Sequence, residues 1–452
     1  MLLTNVLAAI ALLGTAVLTA RVFGPQGRGE YTLASLFVTL VVTLGSIGLG
    51  AAAAYHAARG TWPTPVAFGN PTTLALLLGS VLAAGCACVI WVGDVTFSSV
   101  PKADLAIASL AIPFVLTVLV IQSVYQGFRS FREFNVITMA QAALPLPLIG
   151  LALLLGGEVR AAIVAMVVAS ALLFVGVVAY VRRSTAIAWR PRRAYVRALG
   201  SYGLRAHPAN VLAILGYRLD VFLVAGFEGA AAVGLYGAGV VIAEGLWMPS
   251  QAVSTALFPT IANERTESAR RSITPLVARN TLWLTAILAG ILVLVAVPVV
   301  DLLYSARFGA SATVVRILAP GIVLFSAARV LGNDIAARGR PLVNSVVAAI
   351  SVVCNIVLNV VLIPRYGIDG ASWASTASYS VLFFATAVVY RRITQVPLRA
   401  LVVPSRADGA RYVELIRRLA GRPAARPPAA ADIAWEPEEE PVATDAGSRR
   451  SR

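Results

Sequence analysis

The sequence predicts an all-α polytopic membrane protein with about twelve transmembrane helices in two six-helix lobes. Three observations lead there. Hydrophobic residues fill 58% of the 452 positions and charged residues only 13%, for a mean hydropathy of +0.81. The apolar residues gather in runs close to the roughly 20 residues that cover about 30 Å of hydrocarbon. Short loops join the runs, and in lipid only helices or closed barrels satisfy every backbone group.

In chain order the expected spans are 2–20, 32–54, 72–93, 105–124, 135–156, 161–181, 202–226, 231–257, 280–300, 312–332, 342–363 and 370–390. Span 1 could be mistaken for a secretory signal, because Leu18-Thr19-Ala20 resembles a cleavage site. A signal opens on basic residues, however, and no charge precedes Arg21. It reads as a first helix, with a start upstream of Met1 left open.

Lys and Arg sort unevenly between alternate loops. One set carries 15: Arg59, Arg129, Arg132, Arg182, Arg183, Arg190, Arg192, Arg193, Arg197, Arg265, Arg270, Arg271, Arg279, Arg338 and Arg340. The other set carries Arg21, Arg28, Lys102, Arg160, Arg307 and Arg365, while the stretch from Arg391 onward adds 12 to the first set. Basic residues mark cytoplasmic loops, so both termini are expected in the cytoplasm. The net charge of +16 then serves topology and contact with anionic membrane lipids. Without a basic-aromatic platform it gives no reason to expect nucleic acid.

Six spans recur in the same order. Phe23, Gly29 and Tyr31 follow span 1 as Phe227, Gly234 and Tyr236 follow span 7. Arg129 precedes Asn135 as Arg338 precedes Asn344, and Gly157 precedes Ala161 as Gly367 precedes Ala371. An even number of spans per unit makes the repeats parallel, related by an axis along the membrane normal. The expected division is a lobe at 1–198, a lobe at 199–394 and a cytoplasmic tail at 395–452. Within the tail, 409–420 places Val413, Ile416 and Leu419 on one stripe, suited to lie on the inner leaflet. Beyond it, Pro, Ala, Arg and Glu predominate and predict disorder.

Ionisable residues inside spans are the functional candidates, since each costs about 2.5–3.5 kcal/mol on insertion scales. Span 7 holds Arg205, His207, Asn210, Arg218 and Asp220. At 100° per residue His207, Asn210 and Arg218 share a sector while Arg205 and Asp220 point elsewhere, with Pro208 able to shift the phase. Arg205 sits near the span's entrance, where it can snorkel. Glu244 stands near the middle of span 8, about 20 Å from either end, too deep to snorkel, and is expected to be paired with an Arg or protonated. Arg316 and Arg329 on span 10, and Arg21 at the end of span 1, could face the same seam. Cys86, Cys88 and Cys354 look like packing residues without disulfide or zinc spacing. With only His56 and His207, and no catalytic or nucleotide-binding motif, the chain carries no recognisable enzymatic equipment. No metal site or cofactor is expected.

The residues Ala20-Arg21-Val22-Phe23-Gly24-Pro25-Gln26-Gly27-Arg28-Gly29-Glu30-Tyr31, Tyr217-Arg218-Leu219-Asp220-Val221-Phe222-Leu223, Val233-Gly234-Leu235-Tyr236, Ala243-Glu244 and Ile363-Pro364-Arg365-Tyr366-Gly367-Ile368-Asp369-Gly370-Ala371 resemble the Wzx-type polysaccharide flippases. These belong to the multidrug/oligosaccharidyl-lipid/polysaccharide (MOP) superfamily, and the resemblance covers about residues 1–392. It implies a MATE-like pair of lobes around a laterally accessible cavity in a bacterial cytoplasmic membrane. It also implies transfer of a polyprenyl-pyrophosphate-linked oligosaccharide from the inner to the outer leaflet for surface polysaccharide synthesis. Arg21 matches a stretch seen in the related lipid II flippases, in which an Arg belongs to the cavity; twelve spans rather than fourteen set this chain apart from them.

On this reading Arg21, Arg218 and Arg316 are candidates to grip the pyrophosphate, because guanidinium groups bind phosphate in bidentate fashion. Asp220 and Glu244 are candidates to pair with them or to couple a proton or sodium gradient. Arg205, His207, Asn210 and Arg329 are secondary candidates. A polysaccharide polymerase or glycosyltransferase complex is a conceivable partner. The competing readings are an ion-coupled drug or metabolite antiporter of the same superfamily and, from another class, an integral membrane glycan-processing enzyme.

Overall fold

A computed structural model describes residues 2–92, 100–185, 187–190, 192–248, 250–251 and 267–404. Met1–Val403 gathers into one compact unit; Pro404–Arg452 is a second, of which only Pro404 is among the described residues. The expected amphipathic helix at 409–420 therefore lies outside them. Among the described residues the regular structure is helical apart from one bridge residue, Val100.

The helices are α1 (Leu2–Gly45), α2 (Leu49–Ala58), α3 (Thr64–Val92), α4 (Lys102–Ser109), α5 (Ile112–Gly127), α6 (Phe131–Ala143), α7 (Pro145–Leu154) and α8 (Val159–Ser184). The second half continues with α9 (Arg193–Glu228), α10 (Ala230–Glu244), α11 (Glu267–Leu294), α12 (Ala296–Tyr304), α13 (Gly309–Ala337), α14 (Pro341–Thr394) and α15 (Arg399–Val402). Among the described residues eight stretches are long and apolar enough to cross a bilayer, or nine if the bent α9 counts as one. In two of them expected spans are joined through a non-helical glycine: α1 holds span 1 and most of span 2 on either side of Gly24 (φ 67°), and α14 holds spans 11 and 12 on either side of Gly367 (φ 55°). The pattern is consistent with twelve spans.

The repeat is visible in the backbone. Left-handed residues recur as Gly24 and Gly229, Arg129 and Gly339, and Gly156 and Gly367, at separations of 205, 210 and 211 positions. Gly24, Gly229 and Gly367 adopt their positive φ without the Cβ penalty other residues meet. One turn beyond Gly24 and Gly229 the halves touch. A Cβ on Gly29 would lie 1.7 Å from the Ala230 carbonyl oxygen, and one on Gly234 would lie 2.0 Å from that of Pro25. Only two glycines permit this backbone approach, the usual device where helices associate in lipid.

Packing follows the same division. One buried cluster draws only on residues between Tyr31 and Leu199, including Leu116, Ile121, Ile149 and Ile163. Another, around Leu331, Phe383 and Tyr390, draws only on the second half. Two more cross the seam: Ala16 and Ala20 with Tyr304 and Phe308, and Leu33 and Leu105 with Tyr236 and Ile322. Ser and Thr side chains inside helices return their hydroxyl protons to the preceding turn, as Thr19 does to the Thr15 carbonyl at 2.7 Å, which satisfies them without a partner helix.

Several details differ from expectation. Span 2 is interrupted at Ile47 and Gly48, both with positive φ. Span 8 is broken after Glu244, where its first helix stops; Gly245 and Leu246 form a turn and helical backbone resumes at Trp247. The segment expected to open the tail, 395–403, is docked on the compact unit instead. Leu401 is buried, Arg279 Nη1 donates to the Ala400 carbonyl at 2.7 Å, and Trp283 Nε1 donates to that of Val402 at 2.8 Å. The three cysteines are free thiols within α3 and α14.

Candidate functional site

Both halves of the chain wall a cavity of roughly 1270 Å³. Its first wall comes from α1, α6 and α8, and its second from α9, α10 and the residues just after Glu244. Most of the lining is apolar, with the amides of Asn5, Asn135, Gln141 and Gln251 and several Ser and Thr hydroxyls as neutral polar groups and Arg28, Arg218 and Glu244 as the charges.

Arg218 projects from α9 and meets Glu244 at the end of α10. Nη1 donates to Oε1 at 2.8 Å and Nη2 to Oε2 at 3.2 Å, a bidentate pair. The two side chains stay 30% and 20% exposed, so the pair is open to the cavity. A planar guanidinium and a carboxylate fit each other this way, and a phosphate offers the same geometry to the guanidinium.

Asp220, two residues after Arg218, points away from the cavity into the second half. Its carboxylate accepts a hydrogen bond from Tyr236 Oη at 2.5 Å, another from Ser375 Oγ at 3.3 Å and one from the Val221 amide at 2.8 Å. The polar chain continues through Asn355, which donates to Ser375 and Ser378, and Asn359, which donates to Asn355. Asp220 thus belongs to a buried network behind the cavity wall.

Arg28 was sorted from sequence among the outer-turn residues. The structure corrects this: it is buried on the first turn after Gly24 and lines the cavity. Its Nη1 donates to Thr19 Oγ1 at 3.1 Å, and its guanidinium lies 6.0 Å from the Tyr31 ring centre. Among the described residues its Nε has no hydrogen-bond partner, and no carboxylate forms an ion pair with it. A buried cation with an unspent donor, facing an open cavity, is arranged to receive an anion.

The other candidates lie apart. Arg21 is exposed and absent from the cavity lining; it donates to the carbonyls of Leu302 and Leu303, the latter at 2.9 Å, and so caps the end of α12. Arg316 is exposed, with Nε 3.4 Å from the Val293 carbonyl. Arg329 rests over the rings of Trp247 and Phe325, 5.6 and 5.0 Å from their centres. His207 Nε2 donates to the Leu44 carbonyl at 3.0 Å, while Asn210 and Arg205 are exposed, and none of the three lines the cavity. The structure thus brings together Arg218 and Glu244 from the sequence candidates and adds Arg28. Its signal in the sequence was the neighbouring Gly29, whose repeat partner Gly234 marks the seam.

With this geometry in place, comparison with known proteins is informative. Residues 18–313 match the family described as polysaccharide biosynthesis protein. Over 196 residues the chain is 25% identical to the probable low-salt glycan biosynthesis flippase Agl15 of Haloferax volcanii, covering 42% of this chain and 41% of that protein. The chain thus spans about two fifths of the length of the curated relative it matches. Among solved structures, the lipid II flippase MurJ in its inward closed conformation superposes with TM-score 0.74 at 14% identity, over 88% of each chain. A multidrug resistance MATE transporter of the MOP superfamily, in its inward-facing conformation, gives 0.66 at 13% identity over 86% of this chain and 94% of that one. The Vibrio cholerae MATE transporter VcmN in its bent form gives 0.56 at 14%, over 88% and 99%. The chain is therefore a multi-pass membrane protein that belongs to the polysaccharide biosynthesis protein family and has the fold shared by MurJ and the MATE transporters.

Proposed function

We propose that the protein moves a polyprenyl-pyrophosphate-linked oligosaccharide from the inner to the outer leaflet by alternating access. The observation that carries this reading is the pair of arginines in one cavity: Arg28, which has no carboxylate partner among the described residues, and Arg218, which has one that an anion could replace. A pyrophosphate brings about two negative charges and several acceptor oxygens, enough to engage both guanidinium groups. The polyprenyl chain stays in lipid while the headgroup enters between the halves.

The cycle follows from the pairing. With the cavity empty, Glu244 neutralises Arg218, which lowers the cost of a cation inside the membrane. An arriving pyrophosphate competes for Arg218 and releases Glu244. A free carboxylate in that position must take up a proton or a cation, which provides coupling to a proton or sodium gradient. The halves approach backbone to backbone at two places, where Gly29 meets Gly234 beside the Arg21 cap on α12 and where Gly48 meets Gly203; opening at the first, the tighter of the two, would complete the transfer. The loop arginines favour cytoplasmic termini, which makes the tight end the outer one. A polymerase or glycosyltransferase would receive or supply the glycan.

An antiporter of organic cations is the second reading, favoured by Trp247 in the cavity wall with Tyr217 and Phe325 beside it, at ring separations of 5.6 and 5.3 Å. That cluster already holds a cation of its own, Arg329, and the cavity carboxylate is already paired. Both features oppose a cationic substrate.

Leaflet transfer in proteoliposomes, with a labelled polyprenyl-pyrophosphate oligosaccharide, tests the proposal. Protein-dependent transfer that fails in Glu244→Gln and in Arg28→Ala, both folded, is the expected result. Transfer at the wild-type rate in both variants would refute the assignment. No transfer by the wild type under any ion gradient would favour the antiporter.

A further inference from the structure

A second cavity lies outside the seam. The two arms of α14, on either side of Gly367, enclose a groove of roughly 600 Å³ lined by residues 342–350 of one arm and 384–392 of the other. It is built from two ridges at four-residue spacing, the interval that places side chains on one helix face. Leu342, Val346 and Ile350 form one ridge and are 79%, 60% and 52% exposed. Phe384 and Val388 form the other, which ends in Arg392, the one charged residue of the lining. Nine residues of helix make the groove about 12 Å long.

The ends of the groove are chemically unequal. Arg392 lies in the last turn of α14 next to Arg391, and Arg340 is the N-cap residue at the start of the same helix, two positions before Leu342. The cationic end therefore coincides with the helix termini, and the apolar walls run inward from there. Exposed aliphatic walls leading from a cluster of arginines match an acyl chain leading from a phosphate, with the arginines at headgroup level. No lining residue is shared with the seam cavity, so a substrate held at Arg28 and Arg218 would not reach this groove by its headgroup. We propose that the groove is the binding site of one resident anionic phospholipid, its phosphate on Arg392 and one acyl chain between the Leu342–Ile350 and Phe384–Val388 ridges.

Native mass spectrometry of the full chain, released from detergent and titrated with phosphatidylglycerol, phosphatidylcholine or a polyprenyl phosphate, tests this. Two variants act by different means: Arg392→Glu reverses the anchor, and Val346→Trp fills the groove. Val168→Trp, on the exposed face of α8, controls for a bulky residue in contact with lipid, and circular dichroism melting checks the fold of each. The expected result is one tightly held phosphatidylglycerol, preferred over phosphatidylcholine, weakened about tenfold in each groove variant and unchanged in the control. Equal retention in wild type and both groove variants would overturn the proposal. So would a polyprenyl phosphate that outcompetes phosphatidylglycerol and is itself excluded by Val346→Trp, since the groove would then hold the substrate's tail.

Discussion

Two ion pairs in this protein have nearly the same chemistry and different surroundings. Arg218 and Glu244 join α9 to α10 through contacts of 2.8 and 3.2 Å, with side chains 30% and 20% exposed. Arg338 and Asp334 join through contacts of 2.7 and 3.3 Å, one helical turn apart at the end of α13, with side chains 8% and 0% exposed. The first spans two elements and opens on a cavity; the second is local and sealed. Geometry alone does not separate a working pair from a structural one. What separates them is whether a competing anion can reach the arginine.

The sealed pair should matter most to stability. Asp334→Ala removes the carboxylate that accepts two hydrogen bonds from a buried guanidinium, and such losses cost about 3–5 kcal/mol. Thermal unfolding in detergent should show it as a large drop in melting temperature. Replacing both residues, as Asp334→Leu with Arg338→Met, should recover most of the loss, because an apolar pair has no desolvation penalty. If the double variant stayed as unstable as the single one, the pair would be more than a neutral local contact.

The glycine contact between the halves comes next. Gly29→Val must push apart backbones that currently meet at the Ala230 carbonyl. Overpacking of this kind costs about 1–3 kcal/mol, and the strain falls on the tight end of the seam. The expected outcome is a protein that still folds but gains labelling of a cysteine placed at Leu303 by a membrane-impermeant reagent. Unchanged labelling would mean that the glycine crossing does not seal that end.

The open pair gives a prediction of opposite sign. Glu244→Gln removes the group that competes for Arg218, so equilibrium binding of a polyprenyl pyrophosphate should tighten, by about tenfold if the competition is worth ~1.4 kcal/mol. Turnover should fall at the same time, since the released site has no carboxylate to reset it. Asp334→Asn, the same change at the sealed pair, should leave binding untouched. A Glu244→Gln protein that binds more weakly would show that the carboxylate positions Arg218 rather than competing for it.

Legibility in the sequence tracked how local the determinant was. The helices followed from hydropathy, and the repeat from the Gly29-x-Tyr31 and Gly234-x-Tyr236 matches, each of which stands five residues after a glycine of positive φ, Gly24 and Gly229. Glu244 stood out because its depth in an apolar run demanded a partner, and Arg218 was among the partners considered. Arg28 was missed because charge next to a short loop reads as loop. The break at Gly24 brings Thr19 back to it, and Tyr31 covers it from one turn further along its own helix. Asp220 was legible as buried, yet its partners Tyr236 and Ser375 lie 16 and 155 residues away. Arg21 was the reverse case: the family-like motif around it suggested the cavity, and the structure uses it on backbone carbonyls.

That last residue sharpens the comparison at its smallest scale, because it is a third arginine whose partner carries only partial charge. Arg21 reaches across from α1 to the carbonyls of Leu302 and Leu303, where the negative end of α12 favours a cation. An exposed contact of this kind contributes about 1 kcal/mol, far less than the sealed pair. Arg21→Ala should leave the melting temperature almost unchanged. If the contact helps hold the tight end shut, the same substitution should raise the labelling rate at a Leu303 cysteine several-fold, and Arg21→Lys, which can make only one of the two bonds well, should fall between. A labelling rate equal to wild type in both variants would leave the glycine crossing and the packing of Ala16 and Ala20 on Tyr304 and Phe308 to hold that end closed, and would make Arg21 a helix cap alone.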